Sequence, residues 1–142
     1  MNRKELLKIF NLSRFTAFDF ETTGLDPYND RIIEIAAIRF VDGEITERFV
    51  HLINPERPIS GMITEITGIS NKMVRNASTE ETIIDDFLYF LGDDPLVAHN
   101  IHFDVQFLAQ LCSRLGRDDK EHVKYDTLQL SRSILFEQPV FN

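Results

Sequence analysis

The stretch "FTAFDFETTG", residues 15–24, ends an apolar run with two acidic residues two positions apart. Its phenylalanines and threonines are typical of a β-strand, in which alternate side chains face the same side. Asp19 and Glu21 therefore share one face, and Phe18 and Phe20 point the opposite way, into the predicted core. Carboxylates beside a core are costly unless a cation, a cap or a metal ion compensates them.

Two further strand-like runs follow this stretch, "DRIIEIAAIRFVDG" at 30–43 and "EITERFVHLIN" at 44–54. Asp42 and Gly43 separate them, and Asp-Gly between two such runs is a strong β-hairpin signal. Residues 15–53 are therefore predicted to form three antiparallel strands.

The second half of the chain alternates strands with helices. A short apolar strand, "PLVAHN" at 95–100, precedes a long helix, and a strand at 122–125 precedes a helix that begins at Thr127 with Asp126 as its N-cap. This alternation indicates parallel pairing. An antiparallel meander followed by parallel strands on one mixed sheet, flanked by helices, is the ribonuclease H-like α/β layout. We expect one domain over residues 1–142.

Three helices are predicted outside this alternation. The N-terminal "MNRKELLKIFNLSRF" predicts a short amphipathic helix, and "MITEITGIS" predicts a helical turn that ends at Gly68. In "STEETIIDDFLYFLGDD", Ser78 is the predicted N-cap, Glu81 completes a capping box, and Gly92 ends the helix.

The composition describes a globular chain with an excess of acid. The 142 residues are 43% hydrophobic, and the net charge is −8 with a pI near 4.9. This balance argues against binding nucleic acid through a broad basic surface, but metal ions add positive charge that the residue count omits.

The single cysteine, Cys112, excludes an internal disulfide, and its helical spacing from Leu108, Leu111 and Leu115 predicts a buried packing thiol. No apolar run approaches the roughly 18 residues of a membrane-spanning helix, and no signal peptide is visible. We therefore expect a cytoplasmic protein that makes no contact with a membrane.

A second acidic position lies in "AHNIHFD", residues 98–104, where a buried strand ends and a helix starts. Ligands bind beyond the carboxyl ends of strands in parallel α/β folds, which would bring Asp104 close to the end of the first strand. Two structural roles compete with a site: Asp104 could stabilise the helix dipole, and Glu21 could accept backbone hydrogens of the turn. The small residues at 22–24 would let a ligand approach the backbone, and Leu25 could contact a base or sugar.

Together, "FDFETTGLDPYNDRIIEIAAIRFVDG" and the later "LVAHNIHFD" resemble the DEDD-type (DEDDh) 3′–5′ exonucleases, which include the proofreading exonuclease of bacterial DNA polymerase III. The segments "INPERPISGMITEITGIS" and "YDTLQLSRSIL" resemble the same family, so that the similarity runs from about Phe15 to Leu135.

The resemblance implies that carboxylates bind two divalent ions, Mg²⁺ or Mn²⁺, and that a histidine acts as general base. Asp19 would bridge both metals, Glu21 would hold the metal that activates water, and Asp104 would hold the metal near the leaving group. The product would be a nucleoside 5′-monophosphate released from a 3′ end. The implied substrate-binding residues are Thr22, Thr23, Gly24, Leu25, His99, Asn100 and Phe103.

The family's third motif, a histidine followed five residues later by an aspartate, is not found after "YDTLQL". His122 and Asp126 are spaced four apart, and we expect an exposed strand residue and a helix cap there. Without the fourth carboxylate and the general base, we expect a C-terminally truncated domain that lacks its final helix and has little or no activity. Glu34 is predicted to be satisfied by the backbone or by a donor such as Arg31 or Arg39.

Three functions follow from the sequence. The first is a 3′–5′ exonuclease that acts on the 3′ end of single-stranded DNA, working with a DNA polymerase or helicase. The second is a 3′–5′ exoribonuclease similar to oligoribonuclease or RNase T, since reading the 2′-hydroxyl separates RNA from DNA. The third is a catalytically incomplete module that binds nucleic acid or a polymerase.

Overall fold

The computed structural model describes residues 1–137, and it describes side chains as far as residue 132. The helices are α1 (Arg3–Ile9), α2 (Gly61–Thr67), α3 (Asn71–Val74), α4 (Glu80–Leu91), α5 (Ile101–Leu115) and α6 (Thr127–Glu137). The strands are β1 (Arg14–Thr22), β2 (Ile32–Val41), β3 (Glu44–Asn54), β4 (Ser78–Thr79), β5 (Leu96–Ala98) and β6 (Lys124–Asp126). Three consecutive strands follow the first helix, and strands alternate with helices in the second half, as predicted; helix α3 and strand β4 are additional.

The strands form one mixed sheet in the order β4-β3-β2-β1-β5-β6. Strands β1, β2 and β3 pair antiparallel, and β5 and β6 add parallel to β1, as the sequence predicts. Asp42 and Gly43 turn the β2–β3 hairpin, and both have positive φ, at 51° and 83°. A two-residue turn of this kind follows the right-handed twist of the strands.

The main core lies between the sheet and helices α4 and α5. Phe18 and Phe20 of β1 are buried there, and the Phe20 ring meets the Phe87 ring of α4 with centroids 5.7 Å apart. Alternation along β1 thus sends the phenylalanines into the core and leaves Asp19 and Glu21 on the opposite face.

A β-bulge interrupts β2 beside the acidic end of β1. Glu21 faces Glu34, but the next residue, Thr22, faces Ile32, so that Ile33 is an extra residue. Ile32 is buried in the main core, and Ile33 is buried in a second cluster with Ile59, Ile69 and Val74. The bulge therefore anchors the segment that carries α2 and α3 next to the end of β1.

Two local predictions are wrong. Ser78 and Thr79 both pair with β3, so the last extended residue before α4 is Thr79; its side chain caps the helix by accepting from the Thr82 amide, and Glu81 does not complete a capping box. His122 is half-buried ahead of β6 and donates from Nδ1 to the Asp94 carbonyl at 2.8 Å, so it is not an exposed strand residue. Asp126 is the predicted cap, since its Oδ1 accepts from the Leu128 amide at 2.9 Å.

Asp94 closes a buried polar network at the other end of β1. Its carboxylate accepts from Thr16 Oγ1 at 2.9 Å and pairs with Arg14 Nε at 2.7 Å and Arg39 Nε at 2.9 Å. Arg39 also pairs with Glu47 at 2.7 Å. These bonds compensate two charges that would otherwise be costly to bury.

Cys112 is buried in α5, as predicted, and its burial raises the pKa of the thiol to about 11. A neutral, enclosed thiol packs as a small apolar side chain. None of the helices in the described residues is long and apolar enough to span a membrane.

Candidate active site

Asp19 and Glu21 lie at the carboxyl end of β1, on the face of the sheet opposite the main core. Asp19 is exposed and Glu21 is half-buried. Their placement on one face follows from the two-residue period of the strand, and it confirms the geometric part of the sequence prediction.

Asp104 reaches the same end of β1 from the first turn of α5. It is 2% exposed, and its Oδ1 accepts from the Phe20 amide at 2.9 Å. Phe20 lies between Asp19 and Glu21, so the third carboxylate meets the backbone of the strand that carries the other two.

The reason for this contact is the early end of β5. Strand β5 pairs with β1 only at Thr16 and Ala17, and Asn100 then turns the chain into α5 with φ of 57°. The Phe20 amide thus has no partner from β5, and Asp104 supplies the acceptor. Asp104 thus lies in the first turn of α5, as a role at the helix dipole requires, and in addition holds the end of β1.

The pKa of each of the three carboxyl groups is raised above its ordinary value. Burial raises the pKa of Asp104 to about 7, the hydrogen bond from Phe20 opposes this, and the charges of Asp19 and Glu21 add to it. Desolvation also raises the pKa of Glu21, with further contributions from Asp19 and Glu34. The pKa of Asp19 is raised by desolvation and lowered by the nearby His99.

No lysine or arginine in the described residues forms an ion pair with these three acids. Nor are any three or more histidine, cysteine, aspartate or glutamate side chains within residues 1–137 gathered closely enough to hold a metal ion. The donor set nevertheless fits Mg²⁺ or Mn²⁺ by its chemistry, because carboxylate oxygens suit hard cations and a cation would relieve the raised pKa values.

Glu34 lies beside this acidic group, and neither Arg31 nor Arg39, the two donors named in the prediction for Glu34, forms an ion pair with it. Arg39 is directed at Asp94 and Glu47, and Arg31 donates to backbone carbonyls. Glu34 instead lies directly across from Glu21 in the β1–β2 pairing. Two carboxylates opposite each other repel, which is one reason why the pKa of Glu21 is raised.

The loop after β1 is held by the Asp30 carboxylate. It accepts from Thr23 Oγ1 at 3.1 Å and from the Asp26 amide at 2.9 Å. A Cβ on Gly24 would lie 2.3 Å from Asp30 Oδ2, so only glycine fits beside this carboxylate. Thr22 Oγ1 also donates to the Gly24 carbonyl at 2.6 Å.

This loop forms one side of an open groove of about 720 Å³, and Glu21 is one of the residues that line the groove. The opposite side is helix α2, and Phe103 of α5 lies between them, its ring 4.8 Å from that of Phe107. Three apolar side chains at the groove are largely exposed: Leu25 at 84%, Met62 at 66% and Ile66 at 72%. The groove is thus an accessible apolar surface beside a carboxylate.

The structure divides the predicted substrate-binding residues between two places. Thr22, Thr23, Gly24, Leu25 and Phe103 line the groove just described. His99 lines a separate depression of about 280 Å³ with Asp19, and its Nδ1 lies 3.2 Å from Thr127 Oγ1. The Asn100 amide donates to Asp126 Oδ1 at 3.0 Å. Neither His99 nor Asn100 is among the described residues that line the larger groove.

Helix α2 is the part of the groove that sequence reasoning missed. Met62 and Ile66 are four residues apart, so they project from the same side of the helix. The sequence shows that the two residues share one side of the helix, but only the structure shows that no residue of this helix is buried and that this side faces the groove.

The fold and the comparisons agree on the class of protein. Solved structures of exonuclease I share the ribonuclease H-like fold: a product-bound structure superposes with a TM-score of 0.79 at 22% identity, over 90% of this chain and 33% of that one. Escherichia coli exonuclease I in complex with a 5cy-dA13 oligonucleotide gives 0.78 at 22% identity, over 90% and 31%. At this identity the likeness shows the fold alone.

The sequence comparisons define the family. The profile of the RNase_T exonuclease family matches residues 16–140. DNA polymerase III PolC-type of Thermotoga petrophila is 43% identical over 126 residues, which are 89% of this chain and 9% of that protein. The 3′-5′ exonuclease DinG of Bacillus subtilis is 41% identical over 125 residues, 87% of this chain and 13% of that protein.

The chain therefore belongs to the RNase_T exonuclease family. The resemblance to DEDD 3′–5′ exonucleases of the DNA polymerase III proofreading type is confirmed. The chain spans between 9% and 13% of the length of these two relatives.

Proposed function

We propose that this chain is a metal-dependent 3′–5′ exonuclease domain that hydrolyses the terminal phosphodiester of single-stranded DNA and releases nucleoside 5′-monophosphates. One observation carries the proposal. Asp104 comes 83 positions or more after the β1 acids in sequence, yet it binds the amide of the residue between Asp19 and Glu21. No lysine or arginine in the described residues forms an ion pair with any of the three.

Asp19, Glu21 and Asp104 would hold the divalent ions. Bound at this site, two such ions would lower the pKa of an attacking water and stabilise the departing oxygen. The protein's own contribution is to place the acids on rigid elements. Asp19 and Glu21 are fixed by the strand, and Asp104 is fixed by its bond to Phe20. Glu34 adds a further negative charge on the Glu21 side.

The groove would receive the terminal nucleotide. Phe103 and the exposed Leu25 offer apolar surfaces to a base, with Met62 and Ile66 opposite. Stacking on such side chains is tolerant of sequence, as degradation from a 3′ end requires. Because Glu21 lines the same groove, a nucleotide held there would present its phosphate to the acids.

DNA is the proposed substrate because the relatives include DNA polymerase III PolC-type proteins. We propose that the domain acts together with a DNA polymerase, as these names suggest. Residues 127–142 contain no histidine, so the third motif expected from the family is not formed by the sequence at hand. We therefore propose that residues 1–142 alone cleave slowly or not at all, since a general base contributes about 10²–10⁴-fold.

The test uses a 5′-labelled single-stranded DNA oligonucleotide with Mg²⁺ or Mn²⁺, and compares residues 1–142 with a longer chain to which the third motif of the family has been added. The longer chain should shorten the strand from its 3′ end. Asp19→Asn and Asp104→Asn should each reduce the rate by about 10²-fold or more, as expected when a transition-state stabiliser is removed. The matched control is Asp118→Asn, at an exposed position after α5.

Two results would overturn parts of the proposal. Full activity in either site variant would remove these carboxylates from the chemistry. Faster cleavage of an RNA oligonucleotide of matched sequence would move the substrate to RNA, because the 2′-hydroxyl is then favoured.

A further inference from the structure

Two arginines converge on one backbone oxygen beside the groove. Arg31 Nη1 donates to the Asn29 carbonyl at 3.1 Å, and Arg57 Nη1 donates to the same carbonyl. Arg31 stands directly before β2, and Arg57 lies in the β3–α2 connection. Sharing one acceptor places the two guanidinium groups side by side although 26 positions separate them in sequence.

Neither guanidinium is ion-paired within the described residues. The nearest acids have other partners. Asp30 accepts from Thr23 Oγ1 and the Asp26 amide. Glu80 accepts two bonds from Arg114 Nη2, at 3.1 and 2.9 Å.

Arg114 adds to the local positive charge. Desolvation lowers the pKa of Arg31, and the charges of Arg114 and Arg57 lower it further, while Glu80 and Asp30 oppose this effect. The Arg31 guanidinium therefore has like charges close to it, of which that of Arg114 is paired with Glu80 and that of Arg57 is not ion-paired in the described residues. An anion bound between Arg31 and Arg57 would relieve the repulsion between their like charges.

The pair lies at the rim of the groove. Asp30 and Ser60 both line the groove, and they are the neighbour of Arg31 and the third residue after Arg57. Arg57 is exposed and Arg31 is half-buried, so a ligand has access from solvent. The rim is separate from the three carboxylates, none of which bonds to either arginine.

We propose that Arg31 and Arg57 together bind one internucleotide phosphate of the single strand whose 3′-terminal nucleotide occupies the groove. The inference rests on the proposed function only for the position of the strand. Guanidinium groups suit this ligand because each has several N–H donors in a planar fork that matches phosphate oxygens. Such contacts hold a strand in position without reading its sequence.

The first experiment measures the salt dependence of binding. A fluorescein-labelled oligothymidylate is titrated in EDTA, where metal-dependent cleavage does not occur, and binding is followed by fluorescence anisotropy. Loss of one phosphate contact on a single strand reduces the slope of log K against log salt by about 0.7. For Arg31→Gln/Arg57→Gln we expect that reduction, and binding about 5-fold weaker at about 0.1 M salt.

The matched control removes the same charge elsewhere. Arg48→Gln/Lys124→Gln changes two exposed side chains on β3 and β6. Its slope should stay close to that of the unmodified chain. Arg57→Lys retains the charge and should retain most of the slope. Thermal unfolding of each variant verifies that the fold is intact.

The second experiment locates the phosphate. Oligonucleotides with one neutral methylphosphonate linkage at successive positions should show a single linkage whose neutralisation weakens binding about 5-fold. The Arg31→Gln/Arg57→Gln variant should show no further loss of binding affinity when that linkage is neutral, because the variant no longer makes the contact.

The inference would be overturned if the slope of log K against log salt were the same for the two double variants. It would also be overturned if each neutral linkage weakened binding equally in the unmodified chain and in Arg31→Gln/Arg57→Gln. These outcomes are independent of catalysis. If cleavage is absent but the arginine effect is found, the proposed exonuclease activity fails and the phosphate site stands. If cleavage depends on Asp19 and Asp104 but the arginine effect is absent, the proposed function stands and the phosphate site fails.

Discussion

Replacing Asp104 by asparagine should stabilise the metal-free protein at alkaline pH, although it removes one carboxylate of the proposed metal site. Asp104 is 2% exposed, and burial raises its pKa from the ordinary 3.8 to about 7. Asparagine retains an oxygen that can accept from the Phe20 amide, but it carries no charge. The variant therefore removes the electrostatic penalty and keeps the hydrogen bond.

The direction and size of the change in unfolding free energy with pH follow from the protons bound by the folded and unfolded chains. Between pH 3.8 and about 7 the folded protein holds a proton on Asp104 that the unfolded chain has released, so stability falls as the pH rises through this window. From about pH 5 to about pH 8 the loss attributable to Asp104 is about 3 kcal/mol, at about 1.4 kcal/mol for each pH step below the folded pKa. Asp104→Asn should lack this loss.

The assay is urea unfolding of both proteins in EDTA at about pH 5 and about pH 8. The informative quantity is the change with pH of the difference in unfolding free energy between them. In that comparison the fixed cost of burying an amide cancels, as does the titration of the other carboxylates to a first approximation. Asp118→Asn, the same substitution at an exposed position, should show no such change.

A difference between Asp104→Asn and the unmodified chain that is the same at both pH values would refute the argument, because Asp104 would then titrate as an ordinary exposed acid. A second readout is independent of activity. Added Mn²⁺ should raise the melting temperature of the unmodified protein at about pH 8 and should raise that of Asp104→Asn much less.

Two further substitutions test the surroundings of the site. Gly24→Ala would put a Cβ 2.3 Å from Asp30 Oδ2, so it should cost about 1–3 kcal/mol in urea unfolding and weaken oligonucleotide binding, whereas Gly61→Ala, which meets no atom within 4 Å, should do neither. Asp94→Ala leaves Arg39, whose side chain is 7% exposed, without its buried partner, and should cost about 3 kcal/mol in thermal or chemical unfolding. Cleavage by the folded fraction of Asp94→Ala should be unchanged, and a lower rate per folded molecule would mean that this network also shapes the acidic end of β1.

The sequence predicted the elements whose signals are local. Period-two alternation in β1 separates Phe18 and Phe20 from Asp19 and Glu21, and the Asp42–Gly43 turn determines the hairpin. These features depend on neighbours in the chain, so they are legible without the fold. The order of the acidic motifs could also be read from the sequence, and that order predicted the family correctly.

Some predictions failed because distant partners competed with local preference. Ser78 has the spacing of an N-cap, but pairing with β3 keeps both Ser78 and Thr79 extended, so α4 begins at Glu80 and Thr79 is its cap. Glu34 has arginines close by in sequence, yet Arg39 forms its ion pair with Asp94, which follows α4 in the chain. Spacing along the chain could not reveal which residue caps the helix or which acid pairs with the arginine, because the competing groups come from other elements.

For this protein, the sequence by itself determined which residues are acidic, which strand carries two of them, and which face they occupy. Only the tertiary structure decided that Asp104 bonds to the Phe20 amide, that helix α2 forms the far side of the groove, and that Arg31 and Arg57 share one carbonyl. The physical reason is that each of these contacts joins groups from different elements. Their geometry depends on where β5 ends and how the bulge in β2 anchors the following helices.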